Sequence, residues 1–197
     1  MDARQRRTRA KLYGTITTLA ATEPVSRITA TEVAREAGVH RSTFYEWAQS
    51  PAELLRDALR AELDEIRVRH LADSDLDLVE AIAATTREVL RHAAVHSALY
   101  RRDLGADGGD AGLASMLADQ FTGSTAELLS RQRVRVPIDP ERVSPTVAAD
   151  TAARYVAHGA VGAIAAWLDL PEPRDEDAFL ELYDVLVPAW FLGRRSG

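Results

Sequence analysis

The stretch ITATEVAREAGVHRSTFYEWAQSPAELL, residues 28–55, decides the fold predicted for this chain. Thr29 and Glu32 stand three residues apart, directly before a group of apolar positions. At that spacing the threonine hydroxyl can accept a hydrogen bond from the amide of Glu32, which predicts a capped helix start. Gly38 follows the last apolar residue and can end the helix in the left-handed backbone conformation. We therefore expect a short helix followed by a tight glycine turn.

A second short helix is predicted after the turn, beginning at His40 or Arg41. Its apolar positions, Val39, Phe44 and Ala48, can point inward. The other positions present an arginine, two hydroxyls and two aromatic rings with polar groups: Arg41, Ser42, Thr43, Tyr45 and Trp47. A guanidinium can bind a guanine edge with two hydrogen bonds, and hydroxyls suit phosphates and base edges. This outer face favours DNA reading over a plain pair of bundle helices, which would explain the turn alone.

A third helix is expected from Pro51, because Ser50 and Glu53 repeat the capping pattern with proline at the first helical position. The three segments together follow the helix-turn-helix plan. The stretch resembles the N-terminal domain of the tetracycline repressor (TetR) family of transcriptional regulators. The positions that match the family pattern are Thr29, Ala34, Ala37, Gly38, Val39, Thr43, Phe44, Tyr45, Leu54 and Leu55. Two positions depart, because Ala48 replaces the usual phenylalanine and Pro51 replaces the usual phosphate-contacting lysine.

The resemblance implies an all-α protein with two domains. Residues 1–50 would form a three-helix helix-turn-helix DNA-binding domain, and residues 51–197 a helical bundle for ligand binding and dimerisation. The implied partner of the first domain is a double-stranded DNA operator. The implied phosphate contacts are Thr29, Thr43, Tyr45 and Trp47, and the implied base contacts are Thr31, Arg41 and Ser42.

The charge distribution agrees with a DNA-reading N-terminus. Residues 1–47 contain eight Lys and Arg against five Asp and Glu, a net charge of +3, whereas the whole chain carries −6, so the remaining 150 residues carry −9. Five of these basic residues lie within residues 4–11, before a helical stripe that starts at Leu12, although a solvated basic tail is the alternative. The chain has no cysteine, which excludes disulfides and thiolate metal sites and is compatible with the cytoplasm. No apolar segment is long enough for a membrane span.

We predict that the second part of the chain forms a series of helices. Helices are predicted for residues 51–71, 76–100, 113–131 and 144–170, with a last helix that begins at Asp175 and carries apolar residues as far as Phe191. Residues 73–75 would break the chain. Residues 103–112 contain four glycines and would form a flexible connector, because their aspartates lack the spacing of a calcium loop.

Polar residues on two of these helices are candidates for an effector pocket. His92, His96 and Tyr100 recur four residues apart and would share one helix face. A metal site there is disfavoured because no acidic or cysteine partner is identifiable; an ordinary surface and a pocket lining both stay open. Gln120 and Ser124 lie among apolar neighbours and could orient a small molecule. The candidates for ligand binding are His92, His96, Tyr100, Met116, Gln120, Phe121 and His158. No metal and no cofactor is expected.

The last two long helices are candidates for a dimer interface. Residues 154–170 combine small residues with large apolar ones, and small residues allow another helix to come close. The final helix has two apolar stripes, one with Phe179, Leu182 and Tyr183 and another with Leu180 and Val187. One stripe would serve a monomer's core, so the second indicates a partner, unless the helix is fully buried in one subunit. By resemblance to the TetR family, these helices would form a four-helix homodimer interface.

No catalytic signature occurs in the sequence, so an enzyme is not expected. The leading hypothesis is a dimeric transcriptional repressor whose two heads read half-sites roughly 34–36 Å apart. The family implies a small-molecule effector that changes the head separation and releases the DNA. The competing hypothesis is a helical ligand-binding or dimerisation module whose DNA binding is weakened or lost. It is motivated by Ala48, Pro51 and the acidic net charge.

Overall fold

The computed structural model describes residues 2–71, 77–105 and 108–192. Within these ranges every regular element is helical, which confirms the predicted all-α class. The helices are α1 (Ala3–Thr22), α2 (Ala30–Glu36), α3 (Arg41–Tyr45), α4 (Pro51–Leu71), α5 (Leu78–Val95), α6 (Ser97–Leu104), α7 (Leu113–Ser130), α8 (Pro145–Leu168) and α9 (Glu176–Leu186), with a short 3₁₀ helix at Val25–Arg27. None of these helices is long and apolar enough to cross a membrane.

The chain divides into two compact units. The first contains residues 1–62 and 96–113, and the second contains residues 63–95 and 114–197. Each unit is therefore discontinuous in sequence, and α4 contributes residues to both. The predicted functional boundary at residue 50 stays a prediction, because compactness does not measure function.

The first unit is built around α1 and the helix-turn-helix segment. Leu12 and Ile16 of α1 and Phe44 of α3 are completely buried. The guanidinium of Arg102 on α6 donates to the carbonyl oxygens of Ala20 and Glu23, both at 2.9 Å, and so satisfies the end of α1. The buried core and this cap fix the position of α1, against which the helix-turn-helix segment packs.

The predicted starts of α2, α8 and α9 are confirmed. The Thr29 hydroxyl accepts from the amide of Glu32 at 3.1 Å, and Ser144 caps α8 through the amide of Val147 at 3.3 Å. The Asp175 carboxylate caps α9 by accepting from the amides of Asp177 and Ala178. A short polar side chain at each start satisfies amides that have no partner inside the helix.

The start of α4 differs in one detail from the predicted capping box. The Ser50 hydroxyl accepts from the amide of Glu53 at 3.2 Å, as expected. The Glu53 carboxylate, however, accepts from the amide of Gln49 at 2.7 Å, one residue before the expected donor. The helix still begins at Pro51.

The predicted continuous helix over residues 76–100 is wrong. The structure has two helices that break at His96, whose backbone has φ −99° and ψ 25°. The segments on the two sides bury their apolar residues in different units: Leu90 and Ala93 lie in the second, Leu99 and Tyr100 in the first. Each segment packs its apolar residues into the core of its own unit. The helix therefore breaks at His96, although the sequence contains no proline or glycine there.

The last helix is shorter than predicted. It ends at Leu186, and Val187 adopts an extended backbone with φ −73° and ψ 135°. The cause is Pro188, since the residue before a proline is driven out of the helical region. Trp190 and Phe191 therefore lie beyond the helix, where Phe191 is buried in the core cluster of the second unit.

The described parts of the segment between α6 and α7, residue 105 and residues 108–112, are more tightly held than the predicted flexible connector. Asp103 still belongs to α6, is buried, and accepts hydrogen bonds from the amides of Ala111 and Leu113. Asp110 accepts from the amide of Ser26 at 3.0 Å. Hydrogen bonding with the Ser26 side chain, assisted by this amide, outweighs the effect of burial and lowers the pKa of Asp110. The predicted break at residues 73–75 lies outside the described residues.

Candidate DNA-binding interface and effector cavity

The helix-turn-helix geometry depends on the turn between α2 and α3. Gly38 has φ +64°, the left-handed conformation predicted for it. The amide of Val39 then donates to the carbonyl of Ala34 at 2.9 Å, which closes the end of α2. The side chains of Phe44 and Ala48 are buried, as predicted, and Val39 is half-buried. These contacts fix which side of α3 faces outward.

The outward side of α3 carries the predicted reading residues. Arg41, Ser42 and Tyr45 are exposed, whereas Thr43 and, just after α3, Trp47 are half-buried. Thr29 and Thr31 at the start of α2 are also exposed. All seven predicted DNA contacts thus have at least part of their side chain accessible.

Arg41 and Tyr45 support each other one helical turn apart. The Arg41 Nη2 donates to the Tyr45 hydroxyl at 3.2 Å, and the guanidinium carbon lies 5.5 Å from the centre of the tyrosine ring. The Tyr45 ring packs edge-on against Phe44, with 5.3 Å between ring centres and an angle of 88°. The guanidinium is therefore held by an aromatic ring that is itself anchored in the core.

Sequence reasoning missed His40. Its Nδ1 accepts from the amide of Ser42 at 3.3 Å and lies 2.8 Å from the Ser42 hydroxyl, so His40 caps α3. The accepting role of Nδ1 requires the tautomer with its proton on Nε2. A histidine is an uncommon helix cap, so sequence rules based on Ser, Thr, Asp and Asn did not reveal it.

A groove joins the start of α1 to the start of α3. Its walls carry the cationic side chains Arg4, Arg7 and Lys11 together with Thr43 and Trp47. The predicted basic start of α1 therefore lies beside the predicted reading helix. Asp2 and Glu46 line the same groove and reduce its positive potential.

A cavity of about 100 Å³ lies within the second unit. Helices α4, α5, α7, α8 and α9 supply its walls. Its lining is mostly apolar, with hydroxyl and amide groups along part of it: Leu63, Arg67, Thr85, Thr86, Val89, Leu90, Gln120, Phe121, Ser124, Thr125, Val156, Ala160, Ile164, Phe179 and Tyr183. A concave apolar site with a few polar groups is the usual form of a small-molecule site.

The predicted ligand residues separate into two groups. Gln120 and Phe121 line the cavity, whereas His92, His96, Tyr100, Met116 and His158 are not in its lining. Met116 and Tyr100 are buried, and burial raises the pKa of the Tyr100 phenol. His158 is exposed on α8, where its Nδ1 lies 2.9 Å from the carbonyl oxygen of Arg154.

The single helix that was expected to carry His92, His96 and Tyr100 breaks at His96, so the three residues do not lie on one continuous helix. His92 belongs to α5 in the second unit, and the other two belong to the first. Sequence reasoning also found no acidic partner for these histidines. The structure places Glu62 Oε2 at 2.9 Å from His96 Nε2 within the first unit.

Comparison with known proteins finds the fold but no close relative. No family model matches the sequence, and no curated protein matches it. The dihydroxyacetone kinase operon activator DhaS superposes with a TM-score of 0.64 over 96% of this chain and 98% of its own, at 14% identity. The TetR-family repressor FadR from Thermus thermophilus, in complex with lauroyl-CoA, gives 0.60 over 95% and 97%, at 20% identity.

The regulator RolR in complex with resorcinol gives a TM-score of 0.54 over 93% of this chain and 89% of its own, again at 20% identity. These solved structures are regulators, and the likeness extends over nearly the whole chain. The chain therefore has the fold of the TetR-family transcriptional regulators, as its helix-turn-helix stretch predicted.

Proposed function

We propose that this protein is a DNA-binding transcriptional regulator, acting as a homodimeric repressor that a small molecule releases from its operator. The observation that carries the proposal is the geometry of α3. A buried Phe44 fixes the helix, and Arg41, Ser42 and Tyr45 stand exposed on its outer side. One guanidinium for a base edge and several hydroxyls for phosphates are the groups that sequence-specific reading requires.

The dimer is proposed from the surface of the last two helices. Leu182, Val185 and Leu186 of α9 are 55%, 80% and 57% exposed, and Tyr155 of α8 is 67% exposed. An apolar face of this kind on a helix indicates a protein partner. The small residues Gly159 and Gly162 of α8 have open space around them, which leaves room for a helix of a second copy.

The effector site is proposed at the cavity in the second unit. A ligand that binds the non-DNA-binding conformation more tightly shifts the population towards it, and differential affinity alone is sufficient. FadR and RolR were solved with lauroyl-CoA and resorcinol respectively, so this fold accommodates small molecules in those proteins. By the same proposal, residues 1–50 read DNA and residues 51–197 bind the effector and dimerise inside the cytoplasm.

The test is fluorescence anisotropy with the DNA next to the protein's own gene, compared with a scrambled duplex at low and moderate salt. We expect tight binding to the native duplex that persists at moderate salt. Arg41→Ala should weaken this binding by roughly five- to 150-fold, or about 1–3 kcal/mol, because a bidentate base contact is lost. Arg35→Ala is the matched control, since Arg35 is an exposed arginine on α2 that pairs with Glu36 at 2.7 Å.

Equal binding of both duplexes, and only at low salt, would favour the second candidate, a helical module whose DNA binding is weakened or lost. The acidic residues Asp2 and Glu46 in the groove support this second candidate. An equal loss for Arg41→Ala and Arg35→Ala would indicate a general charge effect instead of reading by Arg41.

A further inference from the structure

The charge of the cavity lining is already compensated. Arg67 is the one charged residue among the described lining residues. Its Nη1 donates to Glu127 at 2.6 Å, and its Nε lies 3.5 Å from the carboxylate of Asp64. Arg131 contacts the same Glu127 carboxylate at 2.6 Å. An anionic ligand would have to compete with two carboxylates for this guanidinium, so the cavity does not favour an anion.

Three hydroxyl groups of the lining, those of Thr85, Thr86 and Ser124, already donate to carbonyl groups of their own helices. Thr85 donates to the carbonyl of Ala81 at 2.7 Å, and Thr86 donates to that of Ile82 at 2.9 Å. Ser124 donates to the carbonyl of Gln120 at 3.0 Å. A hydroxyl has one hydrogen, so a hydroxyl that donates to its own helix keeps only lone pairs for a ligand.

Gln120 is constrained in the same direction. Its side-chain nitrogen donates to Asp64 at 2.7 Å, which orients the amide and leaves the carbonyl oxygen as its accepting group. Four neutral acceptors, the hydroxyl oxygens of Thr85, Thr86 and Ser124 and the amide oxygen of Gln120, therefore line a mostly apolar cavity. A ligand that donates a hydrogen bond can therefore bind any of these four acceptors.

We infer that the cavity selects an uncharged, compact molecule with an apolar body and a hydrogen-bond donor, such as an alcohol, a phenol or a primary amide. This inference rests on the proposed function, because it specifies the chemistry of the effector. The cavity volume of about 100 Å³ sets the size. A cavity of about 150 Å³ binds benzene elsewhere, so the part of the effector that the cavity encloses is about one small ring.

The test uses calorimetric titration of the full chain with two pairs of ring compounds of matched shape. Phenol and toluene differ in the donor, and benzamide and benzoate differ in the charge. We expect phenol to bind at least threefold more tightly than toluene, and benzamide at least threefold more tightly than benzoate. Tighter binding of benzoate, or equal binding of phenol and toluene, would overturn the inference.

A variant locates the site. Thr86→Val keeps the shape of the side chain but removes one acceptor, so it should weaken phenol binding about fivefold without weakening toluene binding. Thr18→Val is the matched control, because Thr18 makes the same hydrogen bond to the carbonyl four residues earlier, at 2.8 Å, on exposed α1. Unchanged phenol binding by Thr86→Val would place the phenol elsewhere and overturn the assignment.

The inference and the proposed function fail in different experiments. If neither phenol nor benzamide binds in the millimolar range, the inference is wrong, and operator binding measured by anisotropy is unaffected. If phenol binds as expected and the operator duplex does not, the cavity chemistry holds and the DNA-binding proposal fails.

Discussion

Phe44 and Tyr45 are adjacent rings of α3 with opposite tasks. Phe44 is completely buried and Tyr45 is 41% exposed. Phe44→Ala should lower the free energy of unfolding by about 3–5 kcal/mol, because it leaves a cavity in the core of the first unit. Tyr45→Ala should cost less than about 1 kcal/mol of stability but weaken operator binding several-fold, because it removes a hydroxyl and the support of Arg41. Urea unfolding and anisotropy measure the two effects.

The contrast between these two variants is the check. If Tyr45→Ala destabilised the protein as much as Phe44→Ala, the exposed ring would belong to the core and its assignment to DNA would lose its basis. If Tyr45→Ala left both quantities unchanged, the residue would have no role in either.

Tyr183 gives a pH dependence with a definite sign. Burial raises its pKa from 10.0 to about 12. The folded state therefore holds the phenol proton more tightly than the unfolded state, so this stabilisation is complete below pH 10 and is lost as the pH rises from 10 to about 12. Tyr183→Phe should make the fall in unfolding free energy over this range shallower.

Urea unfolding at pH 9 and pH 11 measures this difference. Part of the slope remains in the variant, because burial also raises the pKa of Tyr13 and Tyr100. Tyr155→Phe is the control at an exposed tyrosine of α8. An identical slope for the parent and Tyr183→Phe would show that the phenol is not held in a buried state.

Residue-level prediction from the sequence was more successful for α3 than for the cavity. The outer face of α3 depends on one short helix and its turn. The local spacing of apolar residues was therefore sufficient to predict that Arg41 and Tyr45 are exposed. The cavity lining comes from five separate helices. Gln120 and Phe121 were identified from polar and apolar contrast, but Thr85 and Thr86 could not be, since their role depends on which helices pack together.

At the level of elements, helix starts were predictable and two helix ends were not. Starts at Ala30, Pro51 and Glu176 follow from side chains that bind amides within three residues, so the signal is local. The break at His96 depends on which unit buries each neighbouring segment, and that is a tertiary effect without a local sign. The end of α9 was marked by Pro188, but the apolar pattern beyond it concealed the stop.

Gly109, in the segment between α6 and α7, has no room for a side chain. A Cβ on Gly109 would lie 2.5 Å from the Cα of Asp103 and would also meet its carboxylate. That carboxylate holds the amides of Ala111 and Leu113. Gly109→Ala should therefore lower the free energy of unfolding by about 1–3 kcal/mol, through steric conflict and loss of these bonds.

The same substitution at Gly14 is the control in the same unit. A Cβ there meets no atom within 4 Å, and the residue lies in the middle of α1. Gly14→Ala should raise the free energy of unfolding by about 0.5–1 kcal/mol, because alanine favours the helix. Denaturant unfolding of both variants should give opposite signs; a neutral Gly109→Ala would mean that the segment is not held by Asp103.

For the whole molecule, the sequence indicated the distribution of charge and the class of fold, but not the division into units. A net charge of +3 over residues 1–47 and −9 over the rest separates a basic reader from an acidic body. The first unit nevertheless includes residues 96–113, which the sequence placed in the body. Buried Leu99 and Tyr100 and the Arg102 cap on α1 explain this, since these contacts join positions about 80 residues apart.

The assembly is tested by two valines on the second unit. Val185 of α9 is 80% exposed and Val95 of α5 is 78% exposed, so each can become glutamate without burying a charge inside the subunit. Because Val185 lies on the proposed dimer face, Val185→Glu places two buried like charges in a two-fold symmetric interface and should shift the protein to monomers. Val95→Glu should leave the dimer intact. Sedimentation velocity measures the change, and operator affinity should fall with the dimer, because two half-sites need two heads. A dimer unaffected by Val185→Glu would move the interface away from α9.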